Sequence, residues 1–216
     1  MTKKEMSDQV QFWLGLQQIA AYDETAMIAN LLYQGTIDML ARTRCVVRCV
    51  HLRTQANVGI YTLDHAILAL VDVDDGHTRK ARRDQTTWNG TFTMIRSDLL
   101  RLNPTPSVGG EEDVWAVMRP QKMEQDTDSP GMEQFGAIPD EFQDAIVGYA
   151  LWKAADYTDD QRSGDGERYR TLYEGQDGRG GRLAQIRQAV NKRGTARAAP
   201  RRVRLRPVSD HGAWVG

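Results

Sequence analysis

Cysteine is scarce: the 216 residues contain only Cys45 and Cys49, so no disulfide framework is available and a reducing compartment is expected. Apolar runs are short, none approaching the ~18 residues of a membrane span. The opening Met-Thr-Lys-Lys-Glu lacks the apolar core of a signal peptide, so the expectation is synthesis and maturation in the cytoplasm. Aromatic residues are few at 7%, and net charge is almost nil at −1. No Gly-x-Ser-x-Gly elbow occurs, nor a Ser/His/Asp pattern of nucleophilic catalysis. What is present is the composition of a folded soluble chain, 40% apolar and 26% charged, long enough for one or two cores.

The small net charge hides a division. From Arg182 to Arg206 there are nine basic residues and no acid, which leaves the rest of the chain near −10. Acid is densest between Glu111 and Glu167. Charge of one sign gathered in one segment marks an interaction arm, toward nucleic acid or an acidic protein surface.

Apolar spacing organises the remainder. Met6, Val10, Trp13 and Leu14 predict a helix from about Lys4 to Ala20. Asp23 is placed to cap a second helix carrying Ile28, Leu31, Leu32, Gly35, Met39 and Leu40. The period then changes, and strands are expected at 44–52, 57–63, 66–73 and 114–118. Asp74-Asp75-Gly76 reads as a turn, residues 77–92 as an exposed loop or hairpin, and Asp98–Leu102 as one helical turn. Pro139 followed by Asp140 and Glu141 opens a helix whose stripe is Phe142, Ala145, Ile146, Tyr149, Ala150 and Ala154. Phe142, Ile146 and Tyr149 are expected to pack on Leu31, Leu32 and Leu172. A last helix runs from Tyr169 to Val190, but Gly175, Gly178, Gly180 and Gly181 interrupt it at about 1 kcal/mol each relative to alanine. These glycines mean either close approach of a neighbouring helix or two shorter helices with a joint.

The chemistry-bearing residues look dispersed. Cys45 and Cys49 on one strand lie about 13 Å apart, too far for a disulfide or shared zinc, and read as core residues. His51, His65, His77 and His211 show no ligand spacing, so no metal, cofactor or catalytic site is expected. Asp72, Asp74 and Asp75 lack the downstream acid of a calcium loop.

Three stretches do carry a likeness: Tyr61 to Gly76, the helix Pro139 to Ala154, and Tyr169 to Val190 with its basic tail. Together they resemble the head-to-tail connector, or adaptor, proteins of tailed bacteriophages. The resemblance implies a virion protein of the neck, made in the host bacterial cytoplasm. It implies a ring, typically of twelve copies, beneath the portal protein and above a stopper or tail protein, with genomic DNA passing through without sequence specificity and no membrane. It further implies that the C-terminal segment grips the portal, through Arg197, Arg201, Arg202, Arg204, Arg206 and Trp214.

The resulting expectation is a non-enzymatic structural protein, mainly α with a β insert. A bundle of about four helices takes 1–43 and 137–193, a β-rich insertion 44–136, and an extended basic arm 194–216. The alternative is a DNA-binding regulator using the basic C-terminus on phosphates, which needs a base-reading helix that the chain does not display.

Overall fold

The computed structural model describes residues 1–15, 24–63, 67–74, 79–82, 91–96, 98–157, 163–176, 179–193 and 196–197. The chain divides into two compact units, one made of Met1–Val46 and Pro120–Ala196, the other of Val47–Arg119 and Arg197–Gly216.

The first unit is helical. Helix α1 (Lys3–Leu14) starts at a capping box: the Glu5 amide donates to Thr2 Oγ1 at 3.2 Å, and the Thr2 amide donates to Glu5 Oε2 at 2.8 Å. Met6, Val10 and Leu14 form its buried stripe, and Gly15, at φ 62°, ends it in a left-handed turn. The expected extension toward Ala20 therefore stops at Gly15, and the proposed Asp23 cap falls outside the described residues. Helix α2 (Glu24–Thr43) buries Ile28, Leu31, Leu32, Met39 and Leu40. Pro139 precedes a single 3-10 turn (Asp140–Phe142), after which α3 (Asp144–Tyr157) buries Ala145, Ile146, Val147, Ala150, Leu151 and Ala154. Helix α3 is the centre of the unit, packing on α1, α2 and α4 (Ser163–Glu174). Close packing of α2 on α3 relies on Gly35, where an added Cβ would lie 3.1 Å from both the Ile146 carbonyl and the Tyr149 side chain.

Of the two readings of the glycine cluster between Tyr169 and Val190, two shorter helices with a joint is the one that forms. Helix α4 ends at Glu174, a small hairpin of β8 (Gly175–Gln176) and β9 (Arg179–Gly180) intervenes, and α5 (Arg182–Arg193) follows. Gly181 makes the return possible: an added Cβ there would lie 2.1 Å from the Gly175 nitrogen. Leu172, expected in the core, is 61% exposed, while Tyr173 is buried in its place. Phe142, Ile146, Leu31 and Leu32 are buried as expected, and Tyr149 is half-buried.

The second unit is a sheet. Its strands are β1 (Val46–Thr54), β2 (Ile60–Thr62), β3 (Ile67–Asp74), β4 (Arg79–Arg82), β5 (Thr91–Arg96), β6 (Leu99–Asn103) and β7 (Gly110–Met118). They lie in the order β1-β7-β3-β4-β5-β6-β2, with the two-residue strand β10 (Ala196–Arg197) beside β1. All pairs in that order are antiparallel except β4 and β5, which are parallel. One core joins them, built from Val50, Leu52, Tyr61, Leu63, Ile67, Leu70, Val73, Phe92, Leu100, Leu102, Val114 and Ala116. The Tyr61 hydroxyl donates to the Val58 carbonyl at 2.5 Å, so the ring is buried without stranding its polar end.

A mainly helical protein with a β insert is thus not what forms. The fold is α+β, with a sheet that owns a separate core. Two local readings concealed this. Where one helical turn is expected over Asp98–Leu102, Leu99–Asn103 form β6, because Leu100 and Leu102 alternate into the sheet core. Within the polar stretch 77–92, Arg79–Arg82 joins the sheet through backbone pairing, which asks nothing of side-chain hydropathy. Among the described residues, no helix is long and apolar enough to cross a membrane.

Candidate interaction surfaces

Two apolar features stand out on the helical unit. On α1, Phe12 is 76% and Trp13 62% exposed, and their rings meet edge to face at 5.8 Å. Being adjacent, they point away from the Met6–Val10–Leu14 stripe that anchors the helix. Glu5 and Asp8, also exposed, lie three to four residues apart along the stripe that leads to Phe12. Both aromatics thus add exposed apolar surface apart from the face that α1 buries.

The second feature is a groove of about 560 Å³ lined by α3, α4, the β8–β9 hairpin and α5. Leu172 contributes apolar surface to it, with Ala145, Gly148 and Thr171 alongside. Its polar end is fixed by Arg182, which donates to Asp144 Oδ1 at 2.8 and 3.0 Å, to the Glu141 carbonyl at 2.6 Å and to Gln185 Oε1 at 2.8 Å. Arg168, one helical turn before Leu172 on the same face of α4, is exposed.

Beneath the groove a polar network ties α2 to α4. Tyr173 donates to Asp38 Oδ2 at 2.8 Å, Arg42 meets Glu174 Oε1 at 2.6 Å and Asp38 at 3.5 Å, and Arg170 meets Glu174 Oε2 at 3.1 Å. The bond from Arg42 holds the Glu174 carboxyl below the usual carboxylate range, Arg170 adding to it and partial burial opposing it. Burial, with the nearby Asp38 carboxylate, pushes the Tyr173 hydroxyl far up, so it stays protonated and donates to Asp38. Tyr149, Trp152 and Tyr173 stack at 5.6–6.2 Å beside this network, with Lys153 Nζ 3.6 Å from the Trp152 ring centre.

Of the residues expected to grip a portal, Arg197 is placed in β10 beside β1. Arg201, Arg202, Arg204, Arg206 and Trp214 lie outside the described residues, as do His65, His77 and His211. Cys45 and Cys49 are both buried and neither is in a disulfide, and burial pushes the Cys45 thiol up.

His51 is less isolated than its sequence position suggests. His51 Nδ1 lies 2.5 Å from Asp113 Oδ1, and Cys49 is close enough that donor atoms of all three side chains fall within 4.8 Å of one another. A readable signal was present: Cys49-x-His51 on a strand puts both side chains on one face. The third member required the β1–β7 register, which no local pattern supplies.

In a comparison with known families, the SU10 adaptor protein family model matches residues 1–204. The chain belongs to that family. Membership spans both units and extends into the basic arm, and it carries the structural role of a phage adaptor that meets other head and tail proteins of the virion neck. A comparison with curated proteins returns no match.

Proposed function

We propose that the protein is a non-enzymatic ring component, assembled beneath the portal, that joins the DNA-filled head to the tail and lines the channel through which the genome passes. The family match along residues 1–204 carries this reading. The surfaces of the helical unit support it. A closed ring of identical copies needs head-to-tail contacts, in which two unlike patches of one copy meet two different neighbours. The convex Phe12–Trp13 pair and the concave Leu172 groove are two such patches on one unit. The charge division supports it too: a body near −10 lets DNA slide, while nine cations from Arg182 to Arg206 suit docking on an acidic protein surface.

In this reading Arg197, Arg201, Arg202, Arg204 and Arg206 meet portal acids, with Trp214 as aromatic anchor. The partner below is a stopper or tail protein. The test is direct: purified portal rings, free of DNA, are mixed with the intact protein and with a form truncated before Gly194. Intact protein is expected to add a ring of about twelve copies, visible by electron microscopy, and the truncated form to bind at least tenfold more weakly. Equal binding of the two forms removes the arm as portal grip. DNA retention without portal binding turns the reading toward the nucleic-acid alternative.

A further inference from the structure

The β unit carries a side-chain group that the adaptor role does not use. Cys49 and His51 are two residues apart on β1, and Asp113 stands directly opposite His51 in the antiparallel register of β1 with β7. Alternation puts all three on the face away from Val50, Leu52, Val114 and Ala116, which fill the sheet core. Cys49 is buried at 1% exposure, whereas the His51 and Asp113 side chains are 31% and 35% exposed. The group is therefore a shallow well with sulfur at its floor and imidazole and carboxylate at its mouth.

We infer that Cys49, His51 and Asp113 form a binding site for a thiophilic divalent cation, zinc above all, that clamps β1 to β7. The donor set decides the class of ion. Thiolate with imidazole selects zinc over magnesium and calcium, which take oxygen ligands. Charge closes as well: one thiolate and one carboxylate neutralise a divalent cation, so a partly buried site is left without net charge. Geometry asks little. Zinc bonds of about 2.0–2.3 Å put tetrahedral ligands roughly 3.3–3.6 Å apart. The donors already lie within 4.8 Å, and the 2.5 Å His51–Asp113 pair opens by less than an ångström.

On entry the ion bonds to Cys49 Sγ, His51 Nδ1, Asp113 Oδ1 and one water. The Cys49 thiol proton passes to solvent, and the proton between Nδ1 and Oδ1 moves to Nε2 or to water, with no oxidation or reduction. Burial of the sulfur argues for a structural clamp and against a nucleophile, which needs open approach to its substrate. Cys45, outside the cluster, serves as the internal control.

Cobalt(II) is the probe. One equivalent added to the reduced, metal-free full-length protein is expected to produce the visible bands of a tetrahedral ion and a sulfur-to-cobalt charge-transfer band, and excess zinc should remove them. C49S and H51A should each weaken cobalt binding at least tenfold, D113N less, and C45S not at all. X-ray absorption at the zinc edge of the unsubstituted protein needs no variant and should find one sulfur among nitrogen and oxygen neighbours. The proposal is overturned by absence of the bands at one equivalent, by bands that persist in C49S, by loss in C45S equal to that in C49S, or by a zinc shell without sulfur.

Discussion

The two units hold together by different means. In the helical unit, apolar stripes are reinforced by local devices near the surface: the Thr2–Glu5 capping box, the Arg182 clamp, and the Asp38–Arg42–Glu174–Arg170 chain with Tyr173. The β unit relies on one apolar core gathered from strands far apart in sequence, from Val50 to Ala116. Both units leave large apolar side chains exposed, Phe12, Trp13 and Leu172 in the helical unit and Ile95 and Val108 in the β unit, so exposure alone does not separate them. A unit held by many separate fastenings can lose one and keep the rest; a unit held by one core loses cohesion as a whole. The helical unit should therefore show graded responses to substitution, and the β unit abrupt ones.

The largest expected effects come from the two cores. Phe142→Ala should cost about 3–5 kcal/mol, and Leu100→Ala about 2–5 kcal/mol, from lost transfer energy plus the cavity left behind. Phe142 is 7% and Leu100 0% exposed, so neither site has solvent to refill it. Amide exchange sharpens the comparison. Protection should fall first in α3 for Phe142→Ala and across β5 and β6 for Leu100→Ala. Loss below 1 kcal/mol in either case would remove that residue from its core.

Legibility in the sequence divides along the same line. Helices α2 and α3 could be placed because a 3.6-residue stripe is a local signal that Leu31, Leu32 and Ile146 satisfy by themselves. Strand β1 announces itself through its β-branched run, and β7 through Val114–Met118. Strands β4 and β6 do not: β4 joins its neighbours through backbone pairing that polar side chains do not announce, and Leu99–Asn103 is too short a run for alternation to be told from a helical turn. Leu172 fits a continuous helical stripe only while the last helix is taken as continuous; once Gly175–Gly181 turn the chain, its side chain faces the groove. Cys49 and His51 could be paired by alternation, but Asp113 joins them only through register.

The turn itself is the next test. At Gly181 an added methyl would lie 2.1 Å from the Gly175 nitrogen, so Gly181→Ala forces backbone to move and should cost about 1–3 kcal/mol. Gly180 has φ +78° but nothing within 4 Å of the added atom, so Gly180→Ala should cost only about 1–2 kcal/mol, from backbone strain alone. Thermal melts giving the two variants the reverse order would mean that conformation, and not space, limits this joint.

A smaller effect is expected in the polar fastenings. Glu174→Gln removes the carboxylate that bonds Arg42 and Arg170, and should cost about 1–2 kcal/mol near neutral pH, as for charge-assisted bonds. Because the folded state holds this carboxyl below its ordinary value of 4.5, its stabilisation is complete above that value and is lost as pH falls through the folded pKa. The gap between the original protein and Glu174→Gln in denaturant midpoint should therefore narrow below about pH 4.5 and close in stronger acid. A gap independent of pH would assign the effect to packing.

The smallest effect on stability should accompany the largest on assembly. Phe12→Ser and Leu172→Ser alter side chains that are 76% and 61% exposed, so each should change stability by no more than about 0.5 kcal/mol. Failure to form rings then cannot be blamed on unfolding. If the Phe12–Trp13 pair of one copy seats in the Leu172 groove of the next, each variant alone loses every contact of the ring. An equal mixture is different, because the Leu172→Ser copy still offers Phe12 and the Phe12→Ser copy still offers an intact groove. One contact of that pair is sound and the next is not, so the mixture should stop at pairs. Native mass spectrometry on portal-bound material distinguishes these outcomes. Pairs in the mixture, with single copies from either variant alone, place the aromatic pair in the groove. Rings from both variants would leave Phe12 and Leu172 outside the contact, and pairs from either variant alone would mean that like surfaces meet like.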